Sequence, residues 1–184
     1  MAKEKKSIDV ELEIPQGIEA KIDKRTIIIK GPKGELKKTF IVPNIELECK
    51  ENKMLIKASR NTKREKKLVG TLKASIKNMF KGATESHKYV LKICSGHFPM
   101  KVDVKGDTLA INNFLGEKFP RTLKLKEGVS VKVEGDMINV ESIDKGLAGQ
   151  TAADVEQLTR RANYDARIFQ DGIYIINKDG KELK

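Results

Sequence analysis

One folding unit is used twice in this chain, and that repetition constrains the fold more than any other feature of the sequence. The run Asn112-Asn113-Phe114-Leu115-Gly116-Glu117-Lys118-Phe119-Pro120-Arg121 has a looser forerunner in Gly31-Pro32-Lys33-Gly34-Glu35-Leu36-Lys37-Lys38. Setting Gly116 on Gly34 gives a shift of 82 positions, and the flanks follow at close to that shift. Ile27 and Ile29 fall on Leu109 and Ile111; Ile45, Leu47 and Cys49 fall on Val129, Val131 and Val133. Leu55-Ile56-Lys57-Ala58 answers to Asn139-Val140-Glu141-Ser142, and Val69-Gly70 to Ala148-Gly149 at the opening of a helical pattern. A repeat of this length means two similar supersecondary units in tandem.

Hydrophobic periodicity supplies the content of each unit. Ile8, Val10, Leu12 and Ile14 alternate with Asp9, Glu11 and Glu13, the signature of a strand with one buried face. Thr26-Ile27-Ile28-Ile29 is β-branched throughout and predicts an inner strand. Residues 45–49 and 54–58 form a hairpin through Glu51-Asn52-Lys53. The period then lengthens, so that Leu68, Val69, Leu72, Ile76, Met79 and Phe80 make one helical stripe behind a Thr62/Glu65 capping box. In the second unit a helix is expected from about Thr151 to Ala162, with Thr151 and Asp154 as its box and Ala152, Val155, Leu158 and Ala162 inward. Asp171-Gly172, between β-rich runs, has no counterpart in the first unit and predicts a short hairpin. The fold class is α+β: two tandem domains, residues 1–82 and 83–184, each a mostly antiparallel sheet packed with one main helix.

Charge narrows the function. The chain carries 37 Lys+Arg against 26 Asp+Glu, a formal +11, which points to a polyanionic partner. Residues 1–82 hold 21 basic and 11 acidic groups, and residues 83–184 hold 16 and 15, so the excess sits in the first domain. The apolar runs are too short for a membrane span, and no apolar run of seven or more follows the charged start at Met1-Ala2-Lys3. Two cysteines make no disulfide framework, and the aligned contexts of Cys49 and Cys94 read as interior strand positions in a reducing, cytoplasmic protein.

Catalytic and metal chemistry find little to stand on. Cys94 and His97 have a C-x2-H spacing, with Cys49 and His87 as the other possible zinc ligands, but structural zinc sites bring ligands in two close pairs. No metal or cofactor is expected. Gly146-Leu147-Ala148-Gly149-Gln150-Thr151 lacks the lysine and the glycine spacing of a P-loop. Its backbone donors at a helix start suit a phosphate nonetheless. No G-x-S-x-G elbow accompanies the two histidines, so no enzyme is expected.

Basic groups remain. Residues 57–67 put six positive charges and one negative before and into a helix, where cations oppose the macrodipole and a polyanion would relieve them. Arg60, Lys63, Arg64, Lys66 and Lys67 are therefore candidates for a secondary contact with RNA or protein. In the second domain Lys118, Arg121, Arg160, Arg161 and Arg167 are candidate phosphate ligands, and Phe114, Phe119, Phe169 and Tyr174 can stack or pack. Asn112, Asn113 and Gln150 offer neutral donors.

Four motifs, in order, carry a resemblance: Ser95-Gly96-His97-Phe98-Pro99-Met100, Asn113-Phe114-Leu115-Gly116-Glu117-Lys118, Gly149-Gln150-Thr151-Ala152-Ala153 and Arg167-Ile168-Phe169-Gln170-Asp171-Gly172-Ile173-Tyr174. Together they resemble the ribosomal protein L-six family of the large subunit, in its archaeal and eukaryotic form, over essentially the whole chain. The resemblance implies two similar α+β domains and a structural, ribosomal RNA-binding protein of the cytoplasmic ribosome. It also implies a place at the stalk base, with neighbouring ribosomal proteins there and translation factors nearby, and neither membrane nor DNA as a partner. It puts the main RNA grip in the second domain, around Gly116-Glu117-Lys118 and around Arg167. The rRNA-binding set is then Asn113, Gly116, Lys118, Arg121, Gly149, Gln150, Arg160, Arg161 and Arg167, with Gly116 and Gly149 allowing close backbone approach. The competing expectation is a duplicated protein–protein adaptor whose basic first domain meets an acidic partner.

Overall fold

The computed structural model describes residues 8–23, 25–50, 52–165 and 167–183. Two compact units part between Ser86 and His87. The first contains β1 (Ile8–Glu13), β2 (Glu19–Asp23), β3 (Thr26–Gly31), β4 (Gly34–Thr39), β5 (Ile45–Lys50), β6 (Lys53–Ala58) and α1 (Lys63–Glu85). Its strands form two antiparallel sheets, in the orders β1-β6-β5 and β2-β3-β4.

Alternation decides which face is buried. In β1, Ile8, Val10 and Leu12 turn inward while Asp9, Glu11 and Glu13 stay exposed. Ile27 and Ile29 of β3, Met54 and Ile56 of β6 and the α1 stripe of Val69, Leu72, Ile76, Met79 and Phe80 close the core. Each fully buried aliphatic side chain of this size contributes about 1.5–3 kcal/mol. Thr62 caps α1 from extended backbone, its hydroxyl accepting from the Glu65 amide at 3.5 Å. The same hydroxyl donates to the Glu65 carboxylate, so the box closes through side chains rather than on the Thr62 amide. The helix continues past Gly82 to Glu85, so the boundary drawn from the sequence at 82/83 lies inside it.

The second unit contains β7 (His87–Cys94), β8 (Lys101–Lys105), β9 (Thr108–Asn112), β10 (Arg121–Lys124), β11 (Val129–Glu134), β12 (Met137–Ser142), α2 (Lys145–Leu158), β13 (Gly172–Lys178) and β14 (Lys181–Glu182). Its sheets run β10-β9-β8 and β11-β12-β7-β13-β14. The first unit's pairings recur: β1-β6-β5 as β7-β12-β11, and β2-β3-β4 as β8-β9-β10. β13 and β14 are additions on the far edge of β7.

The repeats diverge where the sequence match looked strongest. Ile29 pairs with Leu36 seven residues on, whereas Ile111 pairs with Arg121 ten residues on. The second hairpin loop is thus three residues longer. Gly34 is a paired strand residue opposite Gly31, while Gly116 ends a short 3-10 turn, Phe114–Gly116, in the middle of the longer loop. Its anchor is Phe114, 1% exposed in the second core.

Three further expectations need correction. α2 starts at Lys145, six residues before Thr151, because the Asp144 carboxylate accepts from the Gly146 amide at 2.8 Å and caps it there. Thr151 is therefore mid-helix and buried, and the helix stops at Leu158, leaving Ala162 exposed in the following loop. Asp171-Gly172 makes no hairpin. The two-residue Asp-Gly turn is Asp179-Gly180, which joins β13 to β14 with both residues at positive φ, the backbone such a turn requires. Cys49 is exposed on β5, an edge strand, although its position alternates with inward residues. Glu51 of the expected 51–53 hairpin lies outside the described residues.

Candidate nucleic-acid interface

Three loops of the second unit meet where α2 ends: residues 95–100 after β7, 113–120 between β9 and β10, and 159–171 between α2 and β13. Contacts between them are specific. The Asn113 side-chain amide donates to the Pro99 carbonyl at 3.0 Å, and the ring of Phe98 lies against Gly116. Asp171 accepts from the amides of Gly96 and His97, at 2.6 and 3.0 Å, and its other oxygen lies 2.5 Å from His97 Nδ1. Burial pushes the Asp171 carboxyl up, but the hydrogen bonds from His97 and Gly96 outweigh it and leave the group below its ordinary value. The His97 and Phe169 rings sit 4.8 Å apart, and Tyr164 meets Phe169 edge-on at 5.0 Å.

Arg121 is the keystone of this surface, and it faces inward. Its guanidinium forks onto Glu117, Nε to Oε2 at 2.8 Å and Nη2 to Oε1 at 2.7 Å. Nη1 donates to the Leu158 carbonyl at 2.6 Å and to the Arg160 carbonyl at 3.4 Å. The carbon of the fork stands 4.4 Å over the Phe114 ring. An arginine on the last carbonyls of a helix satisfies acceptors left open there and matches the negative end of the dipole. Arg121, expected among the phosphate ligands, has its fork committed within the chain. Its hydrogen bond holds the Glu117 carboxyl below the ordinary carboxylate value.

The other predicted basic residues face outward around this clamp. Arg161 lies 3.4 Å from Glu117 and 4.5 Å over the Tyr164 ring, on the rim of a cleft of about 430 Å³. Arg160 and Tyr174 line the same cleft, and Arg160 is exposed. Arg167 is 90% exposed and forks onto Asp165, whose carboxyl it holds below its ordinary value. Lys118 is exposed beside Phe119, itself 84% exposed. Phe98, Tyr164 and Ile168 are exposed on the same loops; of these, sequence reasoning missed Phe98 and Tyr164 as surface aromatics, although each sits in a turn-rich segment.

Gly149 and Gln150 stand apart from this cluster, in the second turn of α2. A side chain at Gly149 would meet the Tyr89 hydroxyl at 3.1 Å, so the close approach it permits is between α2 and β7. Gln150 is exposed and donates to Asp154 at 2.7 Å. The anion-like position at the start of α2 is held by the Asp144 carboxylate. In the first unit, Arg60, Lys63, Arg64, Lys66 and Lys67 are all exposed around the start of α1, and Lys57 is paired with Glu48 at 2.9 Å. Glu65 is buried against the Thr62 cap and does not offset them on the surface.

The four residues weighed as metal ligands are not gathered. His87 is fully buried and hydrogen-bonded to Asp179 at 3.0 Å, and the Cys49 thiol donates to the Ala20 carbonyl at 3.4 Å. Among the described residues no helix is long and apolar enough to cross a membrane.

Comparison with known proteins matches this duplicated architecture directly. The family described as Ribosomal protein L6 matches residues 14–86 and again 98–172, once in each unit. The chain belongs to the ribosomal protein L6 family. Its L6 relatives include the large ribosomal subunit protein uL6 of Methanococcus vannielii, 43% identical over 173 residues that cover 94% of this chain and 95% of the relative. The uL6 proteins of Methanobrevibacter smithii and Methanosarcina mazei are 42% and 43% identical over the same length, covering 97% and 98% of those relatives. The second L6 match takes in all three loops of the interface apart from its first three residues, 95–97. L6 proteins are ribosomal proteins and not enzymes.

Proposed function

We propose that this chain is a structural constituent of the large ribosomal subunit in the cytoplasm, and that it grips large-subunit ribosomal RNA through the loop surface of its second unit. The near-full-length match to archaeal uL6 proteins carries this reading. The grip consists of Lys118, Arg160, Arg161 and Arg167, with Asn113 and Gly116 shaping the central loop; Arg121 and Glu117 hold the loop to the end of α2. Folded RNA is met by shape and phosphate contact, which needs few charges if each is placed, so the near-neutral second unit is suited to the task. Arg60, Lys63, Arg64, Lys66 and Lys67 make a secondary contact with another RNA helix or a neighbouring protein. The family resemblance supports a site at the stalk base, beside other ribosomal proteins and near the translation factors, with no role for DNA or membrane.

Binding of the full chain to large-subunit ribosomal RNA across a salt series tests the assignment. Replacing Arg160, Arg161 and Arg167 together by alanine removes up to three phosphate contacts, so the slope of log K against log salt should flatten by about 2–3. An unchanged slope would remove these residues from the interface.

A further inference from the structure

The duplication supplies an internal standard for what this sheet accommodates. In the second unit both edges of β7 are paired, by β12 on one side and β13 on the other. Ile173 and Ile175 of β13 enter the core together with residues of α2. Among its described residues the first unit has the same strands and helix but no equivalent of β13. There β1 is the edge of its sheet, and among the described residues no strand pairs with its outer side.

The registers locate the vacant position. Ile8 pairs with Ala58, and His87 with Ser142, so Val10, Leu12 and Ile14 stand where Tyr89, Leu91 and Ile93 stand in the second unit. Leu91 and Ile93 are the residues opposite Ile175 and Ile173. Along the free side of β1 runs a groove of about 630 Å³, with Leu12 and Phe80 in it, Glu11 and Glu13 on the strand rim and Lys73 and Lys77 on the helix rim.

We propose that this edge receives an extended segment of another protein as an added antiparallel strand, one that alternates aliphatic and basic residues. An edge strand presents a row of backbone donors and acceptors that a second chain can complete, and alternate side chains of the added strand set its specificity. Residues opposite Val10 and Leu12 share the face that packs beneath α1, as Ile173 and Ile175 do beneath α2, and must be aliphatic. On the exposed face Glu11 already pairs with Lys53 of β6 at 3.0 Å, whereas Glu13 holds no ion pair among the described residues, so a basic side chain opposite Glu13 complements the carboxylate left on this edge. Lys73 and Lys77 are on the helix side of the sheet and do not oppose those groups. A second copy of this chain is disfavoured, because β1 paired with itself sets carboxylate against carboxylate. Nothing in this inference depends on RNA binding.

The test adds to the full chain an eight-residue peptide of alternating isoleucine and lysine, N-methylated on the amides of one edge so that it cannot stack on itself. Backbone hydrogen exchange is the readout. The β1 amides that point away from β6, every second one across residues 9–13, should slow at least tenfold at saturation, and the same peptide with glutamate for lysine should bind at least tenfold more weakly. Glu13→Lys, at an exposed position, should shrink that preference at least threefold without altering exchange elsewhere. Unprotected β1 amides, equal binding of the two peptides, or protection confined to the other sheet edges at β5, β11 or β14 would overturn the proposal.

Discussion

Replacing Arg121 by alanine separates a structural clamp from a phosphate ligand. The substitution removes a charge-assisted hydrogen bond to the Leu158 carbonyl, a two-point pair with the partly buried Glu117 and a cation over the Phe114 ring. The first is worth about 1.5–3 kcal/mol, the pair about 0.5–1 and the ring contact about 0.5–1. These overlap on one side chain, so the expected loss is about 3 kcal/mol. For a unit of roughly 100 residues each kcal/mol moves Tm by about 4–8 °C, which puts the transition of the second unit about 12–24 °C lower. Calorimetry resolving the two units is the assay, and Arg121→Lys, which keeps the charge but loses the fork, should fall between wild type and alanine. At a temperature where the variant is folded, the salt slope of RNA binding should be unchanged. Stability within 0.5 kcal/mol of wild type, together with a slope reduced by about one contact, would refute the clamp and restore Arg121 as a phosphate ligand.

Other consequences follow from the same geometry. Glu117 has a folded-state pKa below its unfolded value because of Arg121, so its contribution is present above the ordinary carboxylate range and is lost as pH falls through the depressed value. Acid titration of the second unit should therefore show a steeper loss of stability below about pH 4.5 in wild type than in Glu117→Gln, and parallel curves would contradict the pair. Thr151 has a buried hydroxyl without a hydrogen-bond partner among the described residues, so Thr151→Val should leave urea stability unchanged or raise it by up to about 1 kcal/mol. A loss of 1 kcal/mol or more would show that the Thr151 hydroxyl is hydrogen-bonded in the folded unit. At the start of α1, Lys63→Glu replaces an unfavourable charge at the positive end of the dipole and should stabilise the first unit by about 0.5 kcal/mol while weakening RNA binding. A less stable first unit would contradict the dipole argument, and unchanged RNA binding would move the secondary contact from RNA to a neighbouring protein.

Much of the fold is legible in the sequence because burial has a period. Ile27, Ile29 and their counterparts Leu109 and Ile111 are all fully buried, and the α1 stripe falls where three- and four-residue spacing puts it except at Leu68, which is only half-buried and lies outside the core. Elements set by a single local contact were harder to read. Thr151-x-x-Asp154 has the form of a capping box, yet Asp144 caps α2 seven residues earlier; of the intervening glycines Gly146 donates its amide to that cap and Gly149 permits a close approach to Tyr89, and neither breaks the helix. Two Asp-Gly pairs compete for one hairpin; Asp171 is drawn off by the 95–97 loop, which leaves the turn to Asp179-Gly180. Residue type alone does not tell an arginine that meets solvent from one that caps a helix. Arg160 and Arg121 look alike in the sequence, and only the longer 113–120 loop, which brings Glu117 and Phe114 beneath Arg121, sets them apart. Cys49 illustrates the converse, since it continues the inward alternation of Ile45 and Leu47 yet lies exposed near the end of an edge strand.

Sedimentation of the native protein through gradients of cell lysate, at moderate and at high salt and with or without ribonuclease, tests the central claim most directly. A large-subunit constituent held by many placed contacts stays in the large-subunit peak at high salt and leaves it after ribonuclease treatment. Absence from every ribosomal particle, or a complex that sediments unchanged after the RNA is digested, would contradict it.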